Sequence, residues 1–266
     1  MKLSRLIAKV YEHVYPHTKS LRGATFLKRI IEKKIKSQKI AQIELLDGTK
    51  IFAPLTTDQA YNLYLDKEIP ELEQLSYLKD RLREGETFVD VGASFGLFSC
   101  FVAENTSADI VAFEPRPSNT AFLTLNNFFY DRGIEIFEKA CSDETGKTEF
   151  HLSKNTGGMN SLEERDTSER VIEVETVELK RVVSEADVVK IDVEGAEFQV
   201  LKGMHEMLDD NQPEILLELH KEELLQLFGT SKQEVLDYLH GKGYEIKKNF
   251  SQNSEGLGNH LLLKPD

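Results

Sequence analysis

Residues 88 to 99, FVDVGASFGLFS, constrain this chain more than any other stretch. A short apolar run, Phe88, Val89 and Val91, carries one acid, Asp90, and breaks into Gly92-Ala93-Ser94-Phe95-Gly96 before an apolar segment with helical spacing. That is the pattern of a buried parallel strand, a glycine turn and a helix whose N-terminus faces the turn. Glycine lets a ligand approach the backbone, and helix N-terminal amides favour an electron-rich group, so the turn fits a nucleotide-type cofactor. Two other readings remain open. Gly92, Ser94 and Gly96 also spell G-x-S-x-G, the turn on which hydrolases mount a serine nucleophile. The same glycines serve where a helix and a strand merely pack closely.

The chain beyond this turn alternates between the two periodicities. Asp109 to Phe113 predicts a second strand, closed by Glu114 and Pro115, with a helix over about 118–130 whose first turn suits Pro117. Ile134 to Ala140 predicts a third strand, and Lys147 to Leu152 with Arg170 to Val177 predict extended segments around a polar loop, 153–169. Val188 to Val193 and Ile215 to Leu219 read as further core strands. A helix over about 231–241 precedes Tyr244 to Lys247 and His260 to Leu263, an expected antiparallel edge pair. Strands alternating with helices specify an α/β fold with a mostly parallel sheet. Upstream, residues 40–53 alternate around Asp47-Gly48, a hairpin signal, and Leu72, Leu75, Leu78 and Leu82 mark an amphipathic helix.

Charge divides the chain. Residues 1–40 hold eleven Lys/Arg against two acids, a local charge of +9, within a total of −13 that leaves −22 for the rest. An acidic body argues against nucleic acid as the main partner. The basic arm carries apolar residues at helical spacing (Leu3, Leu6, Ile7, Val10; Phe26, Leu27, Ile30, Ile31). Such faces suit either capping of the protein's own domain or a second copy of it, or peripheral contact with an anionic membrane surface. The expected organisation is a helical extension over 1–38, a hairpin and helical lead-in over 39–85, and the main domain over 86–266. With no secretory leader pattern and two cysteines, Cys100 and Cys141, lacking metal-type spacing, a cytoplasmic protein with reduced core thiols is expected.

Acids fall where an α/β sheet binds ligands, beyond the carboxyl ends of its strands. Glu114 follows Gly92 by 22 residues, close to the roughly 20 expected of an acid that accepts ribose hydroxyls. Asp143, Asp192 and Glu218 end later strands. Asp90, inside its strand, is expected to be hydrogen-bonded to loop amides or a cationic ligand. VVKIDVEGAEFQVLKGM, 188–204, places Lys190, Asp192, Glu194 and Glu197 around a strand-to-helix turn, and ILLELH, 215–220, brings Glu218 and His220 to the neighbouring edge. His151 and His260 read as ordinary histidines.

These pieces together resemble the FkbM-type S-adenosylmethionine-dependent methyltransferases. FVDVGASFGLFS, AFEPRPSN with LNN at 125–127, KACSDETGKTEFHLS, VVKIDVEGAEFQVLKGM and PEILLELH occur in the family's order over about residues 86–221. The resemblance implies a class I methyltransferase fold, a Rossmann-like seven-stranded, mostly parallel sheet with helices on both faces. It also implies S-adenosylmethionine as cofactor: Asp90, Gly92, Ser94 and Gly96 along its methionine and ribose part, Glu114 at the ribose hydroxyls, Ser142 and Asp143 on the adenine side. Asp192 and Glu194 would face the methyl group and acceptor. The family usually has Asn where Ser94 stands and Tyr where Leu97 stands.

A sulfonium methyl donor is already activated, so the protein must align an acceptor oxygen and manage one proton. His220, Asp192, Glu194 and Glu218 are the candidate bases, with His220 or Asp192 favoured. The acceptor expected is a hydroxyl of a sugar, glycoconjugate or related small molecule. The same four residues also have the donor types of a divalent-metal site; an ion-paired role with Lys190 is at least as good a reading, and no metal is expected. The rival functions are a serine hydrolase using Ser94 and a noncatalytic cofactor-binding or scaffold protein. The hydrolase reading lacks the strands and oxyanion loop that precede such an elbow.

Overall fold

The computed structural model describes residues 40–45, 47–55, 57–66, 69, 71–152, 170–250 and 258–265. The basic arm over 1–38, the loop over 153–169 and most of the segment over 249–259 lie outside the described residues. The described chain divides into two compact units, the larger beginning at Pro70.

In the smaller unit, β1 (Ala41–Glu44) and β2 (Lys50–Ala53) pair antiparallel, Ile43 opposite Ile51, with Asp47 in the connection accepting from the amide of Thr49 (3.2 Å). The expected hairpin is thus present. Helix α1 (Asp58–Asp66) follows, and Ile43, Ile51, Ala53, Leu55, Ala60 and Leu63 are buried.

The larger unit opens with α2 (Leu72–Arg81), where Leu75 and Leu78 are buried as their spacing predicts. Leu72, in the first turn, stays 43 % exposed, and the polar Gln74 is buried instead. The other end of the helix is locked by Arg81, whose Nε lies 2.7 Å from Glu214 and whose NH1 lies 2.8 Å from Glu86.

Seven strands form the central sheet in the order β11-β12-β10-β9-β3-β4-β5. They are β3 (Thr87–Val91), β4 (Asp109–Phe113), β5 (Glu135–Phe137), β9 (Val188–Ile191), β10 (Glu214–His220), β11 (Tyr244–Asn249) and β12 (Gly258–Pro265). β3 pairs parallel with β4 and β9, β4 with β5, and β9 with β10. β12 runs antiparallel to both β10 and β11. The last two strands are the antiparallel pair expected, with β12 inserted between β10 and the edge strand β11. This is the class I methyltransferase arrangement. Helices α3 (Leu97–Asn105), α4 (Pro117–Tyr130), α5 (Glu197–Gly203), α6 (His205–Asp210), α7 (Glu222–Leu227) and α8 (Lys232–Gly241) connect the strands. The core between them runs from Val89 and Phe113 through Val189, Ile191 and Leu201 to Leu217, Leu239 and Leu261.

The expected strand over 134–140 is broken. β5 ends at Phe137, whose carbonyl accepts from the amide of Lys139 (2.9 Å), and β6 (Ala140–Cys141) joins a second, three-stranded sheet of order β6-β8-β7. Its other members, β7 (Gly146–Leu152) and β8 (Arg170–Val177), are the two extended segments around the polar loop, paired antiparallel. Both cysteines are buried and unbridged. Among the described residues no helix is long and apolar enough to cross a membrane.

Candidate active site

The strand order reverses between β3 and β9: β4 and β5 extend the sheet one way from β3, and β10 extends it the other way from β9. A crevice at such a reversal, outside the carboxyl ends of the strands, is where open α/β sheets hold ligands. Two turns leave the sheet there side by side, Gly92–Gly96 from β3 and Asp192–Ala196 from β9. They touch through backbone: the amide of Asp192 donates to the carbonyl of Val91 (3.1 Å). Gly92 has φ +81°, and a Cβ on it would lie 1.8 Å from the Asp192 carbonyl oxygen. Glycine is therefore demanded here by the neighbouring chain, whatever ligand lies above. Gly96, the N-cap of α3, has φ +96°, and its Cβ would meet Leu123 at 2.5 Å. Ser94 (φ 53°) and Glu194 (φ 57°) occupy the left-handed region in the two facing turns. Such strained non-glycine residues concentrate at functional sites.

Glu114 stands at the end of β4 beside the first turn, 6 % exposed. One carboxylate oxygen accepts from the amide of Ser94 (2.8 Å), and the other accepts from the amide of Arg116 (2.9 Å) and the side chain of Asn119 (3.3 Å). Burial outweighs these donors and pushes its pKa up to about 7. Each carboxylate oxygen has two acceptor sites, so with these three donors one site remains for a hydroxyl.

Asp90 lies beneath the turn. It is wholly buried, and one oxygen accepts from both the amide (3.1 Å) and hydroxyl (2.6 Å) of Ser99, near the start of α3. Its other oxygen lies 3.2 Å from the ammonium of Lys190, the residue opposite it on β9. Lys190 also donates to the Gly92 carbonyl (3.0 Å) and lies 3.4 Å from Asp192. Burial draws the Lys190 pKa down, but Asp90 and Asp192 raise it further and keep it charged. In place of the loop amides or cationic ligand expected for Asp90, the protein supplies Lys190 and Ser99, and this ammonium ties the glycine turn to the acid of the adjoining strand.

At the carboxyl ends of β9 and β10 the structure gathers Asp192, Glu194, Glu218 and His220. His220 Nε2 lies 3.5 Å from Glu194, 3.7 Å from Glu218 and 4.0 Å from Asp192. Its Nδ1 meets the buried carboxylate of Glu197 at 2.7 Å, which also accepts from the amide of Gly195 (3.0 Å). Burial disfavours the imidazolium, but the Glu197 bond and the nearby carboxylates overcome it and raise the His220 pKa well above 6.5. Burial and the charge of Asp192 raise Glu218, whereas Lys190 and His220 outweigh burial at Asp192 and lower it. The two carboxyls are thus pushed in opposite directions, Glu218 up and Asp192 down, the pattern by which acid and base roles separate. Ligand atoms of Asp192, Glu218 and His220 lie within 4.8 Å of one another and have the donor types for a divalent ion.

Ser142 and Asp143 lie just after β6. The Ser142 hydroxyl donates to Asp143 (3.2 Å), whose other oxygen pairs with Lys202 (2.6 Å), and the Ser142 carbonyl lies so close to Gly203 that a Cβ there would sit 2.0 Å away. Sequence reasoning missed the contacts of three residues. Glu197 orients His220, Ser99 anchors Asp90, and His260, read as ordinary, comes within 3.8 Å of Glu218 because β12 inserts beside β10. No local pattern signals such long-range pairs. Ser94, the nucleophile of the hydrolase reading, has no hydrogen bond to a histidine among the described residues.

The Methyltransferase FkbM domain matches residues 90–246. Among curated proteins, the hexuronic acid methyltransferase AglP of Haloferax volcanii is 29% identical over 153 residues, 56% of this chain and 62% of that protein. The methyltransferase sdnD of Sordaria araneosa is 28% identical over 155 residues, covering 60% of its length. The chain thus spans about three fifths of the curated relatives it matches. Among solved structures, a methyltransferase FkbM from Methylobacillus flagellatus KT superposes with a TM-score of 0.50 at 16% identity, covering 91% of this chain and 60% of that one.

Proposed function

Because the chain belongs to the FkbM methyltransferase family, we propose that it transfers a methyl group from S-adenosylmethionine to a hydroxyl of a sugar or related small molecule. The observation that carries this reading is the meeting, at the sheet reversal, of the two turns of the matched segment, with Glu114 beside the first and Asp192 in the second. The donor set fits the cofactor. A buried carboxylate with one spare acceptor site suits a ribose hydroxyl, and the excess of carboxylates over Lys190 and His220 around the second turn suits a sulfonium. When bound, the cofactor supplies an electrophilic methyl group. Glu114 would hold the ribose, and the Gly92–Gly96 turn the methionine side. The similarity to a hexuronic acid methyltransferase supports a carbohydrate acceptor.

Of the candidate bases, Asp192 takes the acceptor's proton best. It is ionised, part-exposed and joined to the glycine turn through Lys190. His220 serves it as a fixed positive charge, since its proton is held by Glu197 and the surrounding acids. Residues 86–266 form the proposed catalytic domain, with 39–85 as lead-in.

Calorimetry with S-adenosylhomocysteine tests the reading. Wild type is expected to bind, and Glu114→Ala to bind at least tenfold more weakly. Absence of binding by wild type, or equal binding by the variant, overturns it.

A further inference from the structure

Helix α2 carries a buried amide that the fold itself does not use. Gln74 is 4 % exposed, yet its side chain makes no hydrogen bond with any described residue. Its amide is therefore open to a small polar group, where a leucine or methionine of similar size would offer none. Gln74 lines a cavity of about 20 Å³ together with Asp192, Glu218, His260, Phe98 and Phe250. A water or a hydroxyl needs roughly 10–15 Å³, so this space takes one such group, between aromatic walls and beside the carboxyls of Glu71, Asp192 and Glu218 and the ammonium of Lys190.

The place of the cavity gives it a function. Asp192 lines it and also contacts the strand before the glycine turn through its backbone. A group seated there therefore lies next to the point where the methyl would be delivered. Resting on the function proposed above, we propose that this cavity receives one hydroxyl of the acceptor, adjacent to the hydroxyl that is methylated, with Gln74 and Glu218 as its hydrogen-bond partners. The acceptor is then a polyhydroxylated ring bearing an uncharged hydroxyl at this position. Gln74, Phe250 and His260 lie outside the family match over residues 90–246.

A site built to hydrogen-bond a buried hydroxyl rejects the analogue lacking it by as much as about 10⁴–10⁵ in specificity, because its polar groups are left unpaired. The test uses full-length protein saturated with S-adenosylhomocysteine and ligand-observed NMR against neutral methyl glycosides of glucose, galactose, mannose and rhamnose, each with its monodeoxy forms. At least one glycoside is expected to bind, and one of its deoxy forms to bind at least tenfold more weakly. Gln74→Leu is expected to bind the parent glycoside as weakly as wild type binds that deoxy form, with unchanged S-adenosylhomocysteine affinity and an equal or higher Tm. Glu218→Gln, which keeps a hydrogen-bonding group, retains the discrimination. The inference is overturned if no glycoside binds, if Gln74→Leu still discriminates, or if Gln74→Leu lowers Tm by several degrees or fails to fold, which would reveal a structural use of the amide. Failure of wild type to bind S-adenosylhomocysteine would instead remove the methyltransferase reading beneath it.

Discussion

Replacing Glu114 by glutamine separates the group's cost to the fold from its use to a ligand. In the folded chain the carboxyl is 6 % exposed, and burial, opposed by the amides of Arg116 and Ser94, pushes its pKa from 4.5 up to about 7. The folded state therefore keeps a proton that the unfolded chain has released. By linkage, stability falls as pH rises from 4.5 through 7, at 1.36 kcal/mol per pH decade, a loss of about 3 kcal/mol from this group alone. Glutamine cannot ionise and removes that slope. It also exchanges one acceptor oxygen for an amide nitrogen, leaving Ser94 or Arg116 without its acceptor at a pH-independent cost of about 1–3 kcal/mol. The prediction lies in the slope. Measured by thermal unfolding from pH 5 to 8, the Tm of Glu114→Gln minus that of wild type is expected to rise by about 5–10 °C, taking roughly 2–4 °C per kcal/mol for a chain of this size. In parallel, S-adenosylhomocysteine binding by wild type is expected to weaken below pH 7, where the carboxyl gains its proton and offers fewer acceptor sites, and binding by the variant to be flat with pH. Parallel unfolding curves would refute the claim that burial governs this group.

Other expectations follow from the same contacts. Lys190→Met leaves the buried Asp90 without its cation and is expected to cost about 3–5 kcal/mol in urea unfolding, most of it restored by adding Asp90→Asn; a variant as stable as wild type would sink the ion-pair account. Gly92→Ala drives a methyl group into the Asp192 carbonyl and is expected to destabilise by more than about 4 kcal/mol or abolish soluble expression; normal unfolding would show that the two turns are not so closely packed. His220 is expected to remain protonated at pH 7.5 in an imidazole NMR titration, because Glu197 holds its proton. Its stabilising contribution is complete below pH 6.5 and is lost only as pH rises through the elevated folded value. Glu197→Gln is expected to bring the titration down toward 6.5, and no movement would assign the shift to other groups.

Local sequence determined most of the elements of this protein and the ligand edge of its sheet. A run such as FVDVG followed by a helical apolar pattern admits few structures, because the alternation of periods 2 and 3.6 dictates which faces are buried. Glu114 was legible from its distance to Gly92, since chain length from one strand end to the next is set by the intervening helix. The break at Phe137 was not, because Ile134 to Ala140 is apolar enough for one strand and only pairing with β8 shows that Ala140 and Cys141 belong to another sheet. Tertiary structure alone decided the electrical state of the site. Whether Lys190 answers Asp90, whether His220 keeps a proton against Glu197, and whether Asp192 or Glu218 carries the charge all depend on separations of a few ångströms between strands distant in sequence. It also decided why Gly92 is glycine. The sequence left ligand approach and close packing both open, and the carbonyl of Asp192, 100 residues away, occupies the place where a side chain would stand.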